Sequence, residues 1–229
     1  MQHIKFVLTA LFLVLFLNGQ AFAAQTLRLT QEAALPTGKG HVTLKTGSVV
    51  TLNDQGHVIE GMLGKDQFLP CIRISMRFKE NTKIIFDDKG NVILGTLLAN
   101  ESISNGRYYF RYKAGTEILL NEKGNIVKGI LLNNQIIDTG IQKCLIMAGQ
   151  PVAFYDSGLL RSGFLAEEQE LDNGFFSTYY QSGQETFFAE RGFVQSGVLS
   201  SDKVLKTPYT KKVFKAGTRV TYDKNGLVR

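Results

Sequence analysis

The chain has 229 residues, of which 44% are hydrophobic and 20% are charged, and its formal net charge is +6. This length is enough for one sizeable hydrophobic core. Beyond the N-terminal segment, no stretch is long and apolar enough to span a membrane as a helix, which excludes a helical membrane protein. The positive charge is too modest to identify a partner by itself.

The first element in chain order is a predicted secretory signal peptide over residues 1–23. Lys5 supplies a positive charge, an apolar run follows at residues 6–17, and small residues precede a cleavage site after Ala23. The run is too short to cross a bilayer comfortably, so a transmembrane anchor is the less favoured interpretation. We therefore expect an exported protein, in the periplasm, at the cell surface or in the medium, whose residues 24–229 form a single domain.

The rest of the chain repeats itself every 34 residues. The phrase FDDKGNVILGTL at residues 86–97 returns as LNEKGNIVKGIL at residues 120–131. One glycine column, which marks a turn, follows this interval: Gly56, Gly90, Gly124, Gly158, Gly192 and Gly226. A second column follows it five residues later: Gly61, Gly95, Gly129, Gly163 and Gly197. We infer six units that contact each other along their whole length, since no unit carries an insertion.

Each unit predicts about three short strands joined by tight turns. In one unit the first strand covers residues 116–120, the turn is Asn121–Gly124, and the second strand covers residues 126–131. Asn opens the turn, and Gly124 supplies the positive φ that a side chain would disfavour.

A polar loop at residues 133–135 and a third strand complete the unit, and the third strand is clearest at residues 107–112. Tyr108, Phe110 and Tyr112 share one face of that strand, which we predict to be core. A single hairpin cannot bury enough apolar area to be stable alone, so stacked units share a continuous core. No helical periodicity follows the signal peptide, and the predicted fold class is all-β.

We favour an open, twisted array of these six 34-residue β-hairpin repeats. The alternative is a closed, six-fold, propeller-like ring, because residues 27–29 align with the part of the strand that would follow residues 226–229. A ring would leave a nick in the middle of a strand, and the unit is short for a four-stranded blade. An open array needs its edge strands covered or paired.

The two cysteines, Cys71 and Cys144, are offset by two units and five residues. If each unit adds about three strands spaced about 4.8 Å apart, the two thiols lie far apart. A disulfide requires Cα atoms within about 7 Å, so we predict no disulfide. Cys144 shares a core-facing column with Met76 and Phe110, which suits a buried free thiol.

The repeated unit combines a strand, an Asp/Asn-x-x-Gly turn and the pattern x-Val-x-x-Gly-x-Leu, as at residues 86–97. This combination resembles the bacterial β-hairpin repeats of the MORN-like type and, more loosely, the WG-type repeats. The resemblance implies a β-rich binding or scaffold module. It carries over no functional residue.

Catalytic and metal-binding patterns are not visible in the sequence. His41 and His57 are the two histidines after the signal peptide, and no Cys-His or Ser-His-Asp signature and no metal-ligand spacing accompanies them. Carboxylates recur in the marker turns, but lysines such as Lys89 and Lys123 would repel a calcium ion there, and Asp and Asn favour turns for backbone reasons. We expect no enzyme activity, no cofactor and no metal site.

One face of the predicted third strands is basic and partly aromatic, and we predict that this face forms a binding stripe. Its members are Arg73, Arg77, Arg107, Tyr109, Arg111 and Lys143. Arg pairs bidentately with phosphate and carboxylate, and Tyr stacks on sugar rings. The alternative is a solvated strand face that uses its charges for solubility and edge protection.

The sequence therefore predicts an exported, non-enzymatic repeat protein that binds an anionic envelope polysaccharide or a partner protein of the envelope. The alternative is a passive structural or surface-assembly protein that uses its sheet edges. Export makes nucleic acid a poor candidate partner, and no transmembrane segment is expected after signal cleavage.

Overall fold

The computed structural model describes residues 25–229. The predicted signal peptide at residues 1–23 and Ala24 lie outside the described residues. Every regular element of the described part is a β-strand, which confirms the predicted all-β class. No helix within residues 25–229 is long and apolar enough to cross a membrane.

All strands of the described residues are short, at three to five residues. In chain order they are β1 (Gln25–Arg28), β2 (Ala33–Thr37), β3 (Gly40–Leu44), β4 (Val49–Leu52), β5 (Val58–Met62), β6 (Gln67–Pro70), β7 (Ser75–Phe78), β8 (Lys83–Phe86), β9 (Val92–Thr96), β10 (Glu101–Ser104), β11 (Tyr109–Tyr112), β12 (Glu117–Leu120), β13 (Ile126–Ile130), β14 (Gln135–Asp138), β15 (Lys143–Ile146), β16 (Pro151–Phe154), β17 (Leu160–Phe164), β18 (Gln169–Asp172), β19 (Ser177–Tyr180), β20 (Glu185–Phe188), β21 (Val194–Val198), β22 (Lys203–Lys206), β23 (Lys211–Phe214) and β24 (Arg219–Thr221). Strands of this length are stable only within a larger, packed assembly of strands.

Twelve of these strands form one continuous antiparallel sheet, the main sheet. Its spatial order follows the chain: β1-β4-β5-β8-β9-β12-β13-β16-β17-β20-β21-β24. The order runs from β1 to β24 without a return, so the main sheet is open. The predicted open array is confirmed, and the alternative of a closed ring is wrong.

The other strands form six two-stranded hairpins, which together make the hairpin layer: β2-β3, β6-β7, β10-β11, β14-β15, β18-β19 and β22-β23. Each unit therefore contains four strands, two in the main sheet and two in a hairpin, instead of the three predicted. The missed strand, β14 in this unit, begins at Gln135, the last residue of the predicted polar loop, and runs to Asp138. In β14 only Ile137 is buried, and one buried side chain is too little pattern to indicate a strand.

The marker turns join successive main-sheet strands within a unit. Asp87 Oδ1 accepts the backbone N–H groups of Lys89 and Asn91 at 3.0 and 2.7 Å. Gly90 follows with a φ of 79°, and the equivalent Gly124 has a φ of 73°, which confirms the positive φ predicted at both. The side-chain bonds of Asp87 explain why Asp or Asn opens these turns.

The hydrophobic core lies between the main sheet and the hairpin layer. Ile118 and Leu120 of β12 and Tyr112 of β11 are all buried. Gly129 of β13 leaves the space for the tyrosine ring, because a Cβ on Gly129 would lie 2.8 Å from Cδ1 of Tyr112. The same packing recurs in the other units: Gly61 with Leu44, Gly95 with Phe78, Gly163 with Ile146, and Gly197 with Tyr180. Close approach between the layers thus explains the second glycine column.

The core prediction fails at the residue just before the third strand, at Tyr108 and at the equivalent Ile74, which is 45% exposed. Phe110 and Tyr112 are buried as predicted, but Tyr108 is 49% exposed. Tyr108 precedes β11 and belongs to the tip that joins β10 to β11, where the strand alternation does not apply. The prediction extended the third strand by two residues beyond its real start.

Units two apart in the chain are joined by contacts between hairpin tips and marker turns. Asn105, in the tip between β10 and β11, is buried and donates from Nδ2 to the carbonyl oxygen of Gly158 at 2.8 Å. Thr139, in the next tip, donates from Oγ1 to the carbonyl oxygen of Gly192 at 2.9 Å. Each of these bonds spans 53 residues, so a tip reaches past its neighbouring unit to the turn of the unit after it.

Two glutamines join neighbouring hairpins within the layer. Gln67 of β6 accepts from the backbone N–H of Thr43 at 2.8 Å and donates to its carbonyl oxygen at 2.7 Å. Gln169 of β18 forms the same two bonds with Leu145, at 2.8 and 2.9 Å. The side-chain amide takes the place of a backbone amide, and it satisfies the strand edge that it faces.

Candidate binding surface on the hairpin layer

The outer face of the hairpin layer is formed by alternate residues of the hairpin strands. In β7, Met76 and Phe78 are buried and Arg77 is exposed between them. In β11 the same alternation buries Phe110 and Tyr112 and exposes Tyr109 and Arg111. Inward side chains thus form the core, while outward ones form a surface that runs across successive hairpins.

Four of the six residues predicted as a binding stripe lie on this outer face: Arg77, Tyr109, Arg111 and Lys143. Arg77 and Arg111 occupy equivalent positions in consecutive hairpins. Tyr109 is 73% exposed, although an aromatic ring gains free energy from burial.

Arg73 and Arg107 have a different place. Both lie in tips, before β7 and β11 begin, so their prediction as strand residues is wrong. Arg73 Nε donates to the carbonyl oxygen of Lys123 at 2.8 Å, and Arg107 Nε donates to that of Ser157 at 2.9 Å. Part of each guanidinium is therefore used to hold a tip against a marker turn.

The first strand of each hairpin adds apolar side chains that the sequence interpretation missed. Phe68 of β6 is 68% exposed and lies directly opposite Arg77. Ile136 of β14 is also exposed, opposite Leu145. The alternation in the segment QFLP, with Leu69 buried, would have revealed these residues if that segment had been interpreted as a strand.

The residues opposite the cations decide where the outer face is most strongly basic. Arg77 faces Phe68 and Arg111 faces Ser102, so neither has a carboxylate directly opposite. Lys143, in contrast, faces Asp138. A carboxylate opposite a lysine partly cancels its charge. Within the predicted stripe, the uncompensated cations therefore lie on the second and third hairpins.

The last hairpin is a second basic area, which the sequence interpretation also missed. Its lysines are Lys203, Lys206, Lys211 and Lys212. Lys206 lies directly opposite Lys211, an arrangement of like charges that destabilises a strand pair. Tyr209, at the tip between them, is 96% exposed. The segment KVLKTPYTKK carried the signal for this area in its repeated lysines.

A groove of about 470 Å³ lies where one tip meets the turns of later units. Its lining has charges of both signs, from Lys39, Asp87, Asp88, Lys89 and Glu122, together with the uncharged Ile72 and Asn91. Lys39 Nζ donates to Asn91 Oδ1 at 2.6 Å. Among the described residues, no three His, Cys, Asp or Glu side chains are grouped so that they could hold a metal ion.

The two thiols are separate and buried. Cys71 lies in the tip after β6, and Cys144 lies in β15, and both are free. Burial raises the pKa of the Cys71 thiol to about 12, although the nearby Lys39 opposes the rise. Burial, together with Asp138, raises the pKa of the Cys144 thiol to about 12. Neither thiol is a ready nucleophile at neutral pH, since the thiolate is the reactive form.

No protein-family model matches the sequence, and no curated protein matches it either. The repeating β-hairpin architecture therefore rests on the structure itself. This architecture agrees with the resemblance to MORN-like repeats in one general respect, since both are built from repeated β-hairpins.

Proposed function

We propose that this protein is an exported, non-enzymatic binding module whose hairpin layer binds an anionic polysaccharide of the cell envelope. The observation that carries the proposal is the pairing of cations and aromatic rings on two consecutive hairpins. Arg77 lies opposite the exposed Phe68, and Arg111 lies on the same strand and face as the exposed Tyr109.

The chemistry of these side chains suits an acidic sugar polymer. A guanidinium forms two parallel hydrogen bonds with one carboxylate or phosphate. An exposed aromatic ring supplies a flat apolar face on which a sugar ring can stack. Arg77 and Arg111 are at least about 10 Å apart, since two strand spacings of about 4.8 Å separate β7 from β11. A polymer with repeated negative charges can contact both arginines at the same time.

Two further considerations support a binding role. The predicted signal peptide would deliver the protein to the envelope, where anionic polymers are abundant and nucleic acid is scarce. The MORN-like resemblance implies a binding or scaffold module. A second candidate ligand is a partner protein with an acidic surface. Exposed apolar residues such as Ile136 lie near the arginines on the outer face of the hairpin layer, and protein interfaces combine apolar and charged contacts in this way.

The proposal is tested by binding of the purified protein to an acidic and to a neutral polysaccharide at two ionic strengths. Binding should be specific for the acidic polymer and should weaken with salt, because exposed charge pairs are screened. The double variant Arg77→Ala/Arg111→Ala should lose most of this affinity.

The matched control is Lys128→Ala/Arg161→Ala, which removes two exposed cations from β13 and β17 of the main sheet. This control should bind like the wild type. If the two double variants lose the same affinity, net charge alone drives binding and the outer face of the hairpin layer is not the site. If no acidic polysaccharide binds, the partner is a protein or the role is purely structural.

A further inference from the structure

Five contacts between a tip and a marker turn recur along the described chain. In four of them the third residue of the tip lies against the marker glycine that stands 51 positions later: Lys39 against Gly90, Arg73 against Gly124, Arg107 against Gly158, and Phe175 against Gly226. In the fifth, Gly192 lies against Thr139, the first residue of its tip. The ring of Phe175 touches the position where Gly226 would carry a Cβ. The absence of a side chain at these glycines is therefore required by the tip as well as by the positive φ.

One tip and one turn within residues 25–229 have no such partner. Tyr209 occupies the position of Phe175 in the last tip, residues 207–210. Tyr209 is 96% exposed, whereas Phe175, with a turn beneath it, is 60% exposed. At the other end of the main sheet, a Cβ on Gly56 would have no atom of the described residues within 4 Å.

We propose that copies of this protein associate head to tail, with the tip at residues 207–210 of one copy seated on the marker turn at residues 53–56 of the next. Tyr209 then packs over Gly56 as Phe175 packs over Gly226 within the chain. The partner is thus a second copy, because its marker turn has the same shape and sequence pattern as the turns that the other tips already contact. This interface lies apart from Arg77 and Arg111 and goes beyond the proposed polysaccharide site.

Charge favours the same pairing. Lys206 and Lys211 flank the uncovered tip, and Asp54 lies exposed in the uncovered turn. Within the chain, Lys39 of the first tip lines the same groove as Asp88, which is the equivalent of Asp54 one unit later. Opposite charges brought together in this way strengthen association at low salt.

Seating the tip of one copy on the turn of the next also brings the edges of their two main sheets together. In the described residues β1 pairs with β4 alone, although the equivalent strands β5 and β9 each pair on both sides. At the other edge, β24 pairs with β21, and beyond it a single bridge joins Tyr222 to Val228. Unpaired strand edges form hydrogen bonds with another strand when one is presented in register.

Such an interface is heterologous, because it joins two different surfaces of the same chain. Each added copy leaves one tip and one turn uncovered, so assembly continues beyond the dimer. We therefore expect species that grow with concentration instead of a single closed dimer.

The test is sedimentation velocity on the protein expressed from the 229-residue sequence, over a wide range of concentration. Gly56→Asn should weaken association by about tenfold or more. The added side chain fills the space needed by Tyr209, while the monomer has nothing near it. Asn adopts positive φ most readily after Gly, and Asn81 already does so in this chain with a φ of 58°. The control is Gly115→Asn, at an open positive-φ glycine away from both surfaces.

Complementation gives the sharpest result. Tyr209→Asp, at a fully exposed position, should also abolish self-association without affecting folding, because it places a carboxylate against Asp54. Mixed with Gly56→Asn, it should form a one-to-one dimer and nothing larger, since each variant keeps one intact surface. A wild type that stays monomeric, a dimer insensitive to Gly56→Asn, or a mixture that stays monomeric would each overturn the proposal. Arg77→Ala/Arg111→Ala should assemble normally, so failure of polysaccharide binding is distinguished from failure of assembly.

Discussion

Gly95 lies directly beneath the ring of Phe78, and a Cβ at this glycine would come to 2.6 Å from Phe78 Cδ1. Phe78 ends a hairpin of the hairpin layer, whereas Gly95 lies in the main sheet. This pair therefore sets the distance between the hairpin layer and the main sheet. Gly95 has no positive φ. Its lack of a side chain is therefore a packing requirement and not a backbone one.

We predict that Gly95→Ala destabilises the protein by about 1–3 kcal/mol, because a methyl group would overpack a core that already contains Phe78 and Ile84. Urea denaturation of the wild type and variant measures this change. The adjacent variant Thr96→Ala, outside the core, should change the free energy of unfolding by less than about 0.5 kcal/mol. Equal stability of Gly95→Ala and the wild type would mean that the layers are not packed this closely.

Gly124 and Gly115 both have positive φ, 73° and 72°, but only Gly124 is covered by a tip. A Cβ on Gly124 would lie 2.9 Å from Cβ of Ile72, whereas one on Gly115 would contact nothing within 4 Å among the described residues. We predict that Gly124→Asn costs about 1–3 kcal/mol more than Gly115→Asn, because Asn tolerates the φ at both positions and clashes at only one. Thermal melts of the two variants compare them directly, and a difference near zero would contradict the contact between tip and turn.

Asn105 is buried, and its side chain is hydrogen-bonded on both sides. Oδ1 accepts the backbone N–H groups of Arg107 and Tyr108 at 3.0 and 2.9 Å, and Nδ2 donates to Gly158 O. We predict that Asn105→Ala costs about 1–3 kcal/mol, since it removes the side-chain donor of the buried Gly158 carbonyl and the acceptor of two part-buried N–H groups. Hydrogen exchange should show faster opening at Gly158 as well as in the tip. Faster exchange confined to the tip would mean that Asn105 does not join the two units.

The thiols provide a prediction about pH. Their folded pKa of about 12 lies above the ordinary value of 9.0, so the folded state keeps its thiol protons to higher pH than the unfolded state does. The stability that this difference contributes is fully present below pH 9 and is lost as the pH rises towards 12. Urea midpoints at rising pH should therefore fall less in Cys71→Ala/Cys144→Ala than in the wild type. In the native state at pH 8, both thiols should react far more slowly with a thiol reagent than in the denatured protein.

The sequence alone determined the 34-residue period, the all-β class and the positive φ of the marker glycines. Each of these depends on residues close together in the chain. The Asp87 carboxylate, for example, binds N–H groups two and four positions away. Local patterns of this kind are visible in any one unit, and repetition makes them unmistakable.

The tertiary structure decided how the units are layered and which surfaces are covered. In the folded protein Gly129 packs under the ring of Tyr112. Arg73 and Arg107 donate hydrogen bonds to turns 50 residues away, and Phe68 is exposed opposite Arg77. The pattern of the predicted third strand placed Arg73 and Arg77 on one strand face, yet only Arg77 lies in the strand, while Arg73 lies in the tip with its Nε bonded to Lys123. A strand pattern tells only which side chains share a face, whereas the partner that covers a face comes from a distant unit, and its identity depends on how the sheet and the hairpins pack.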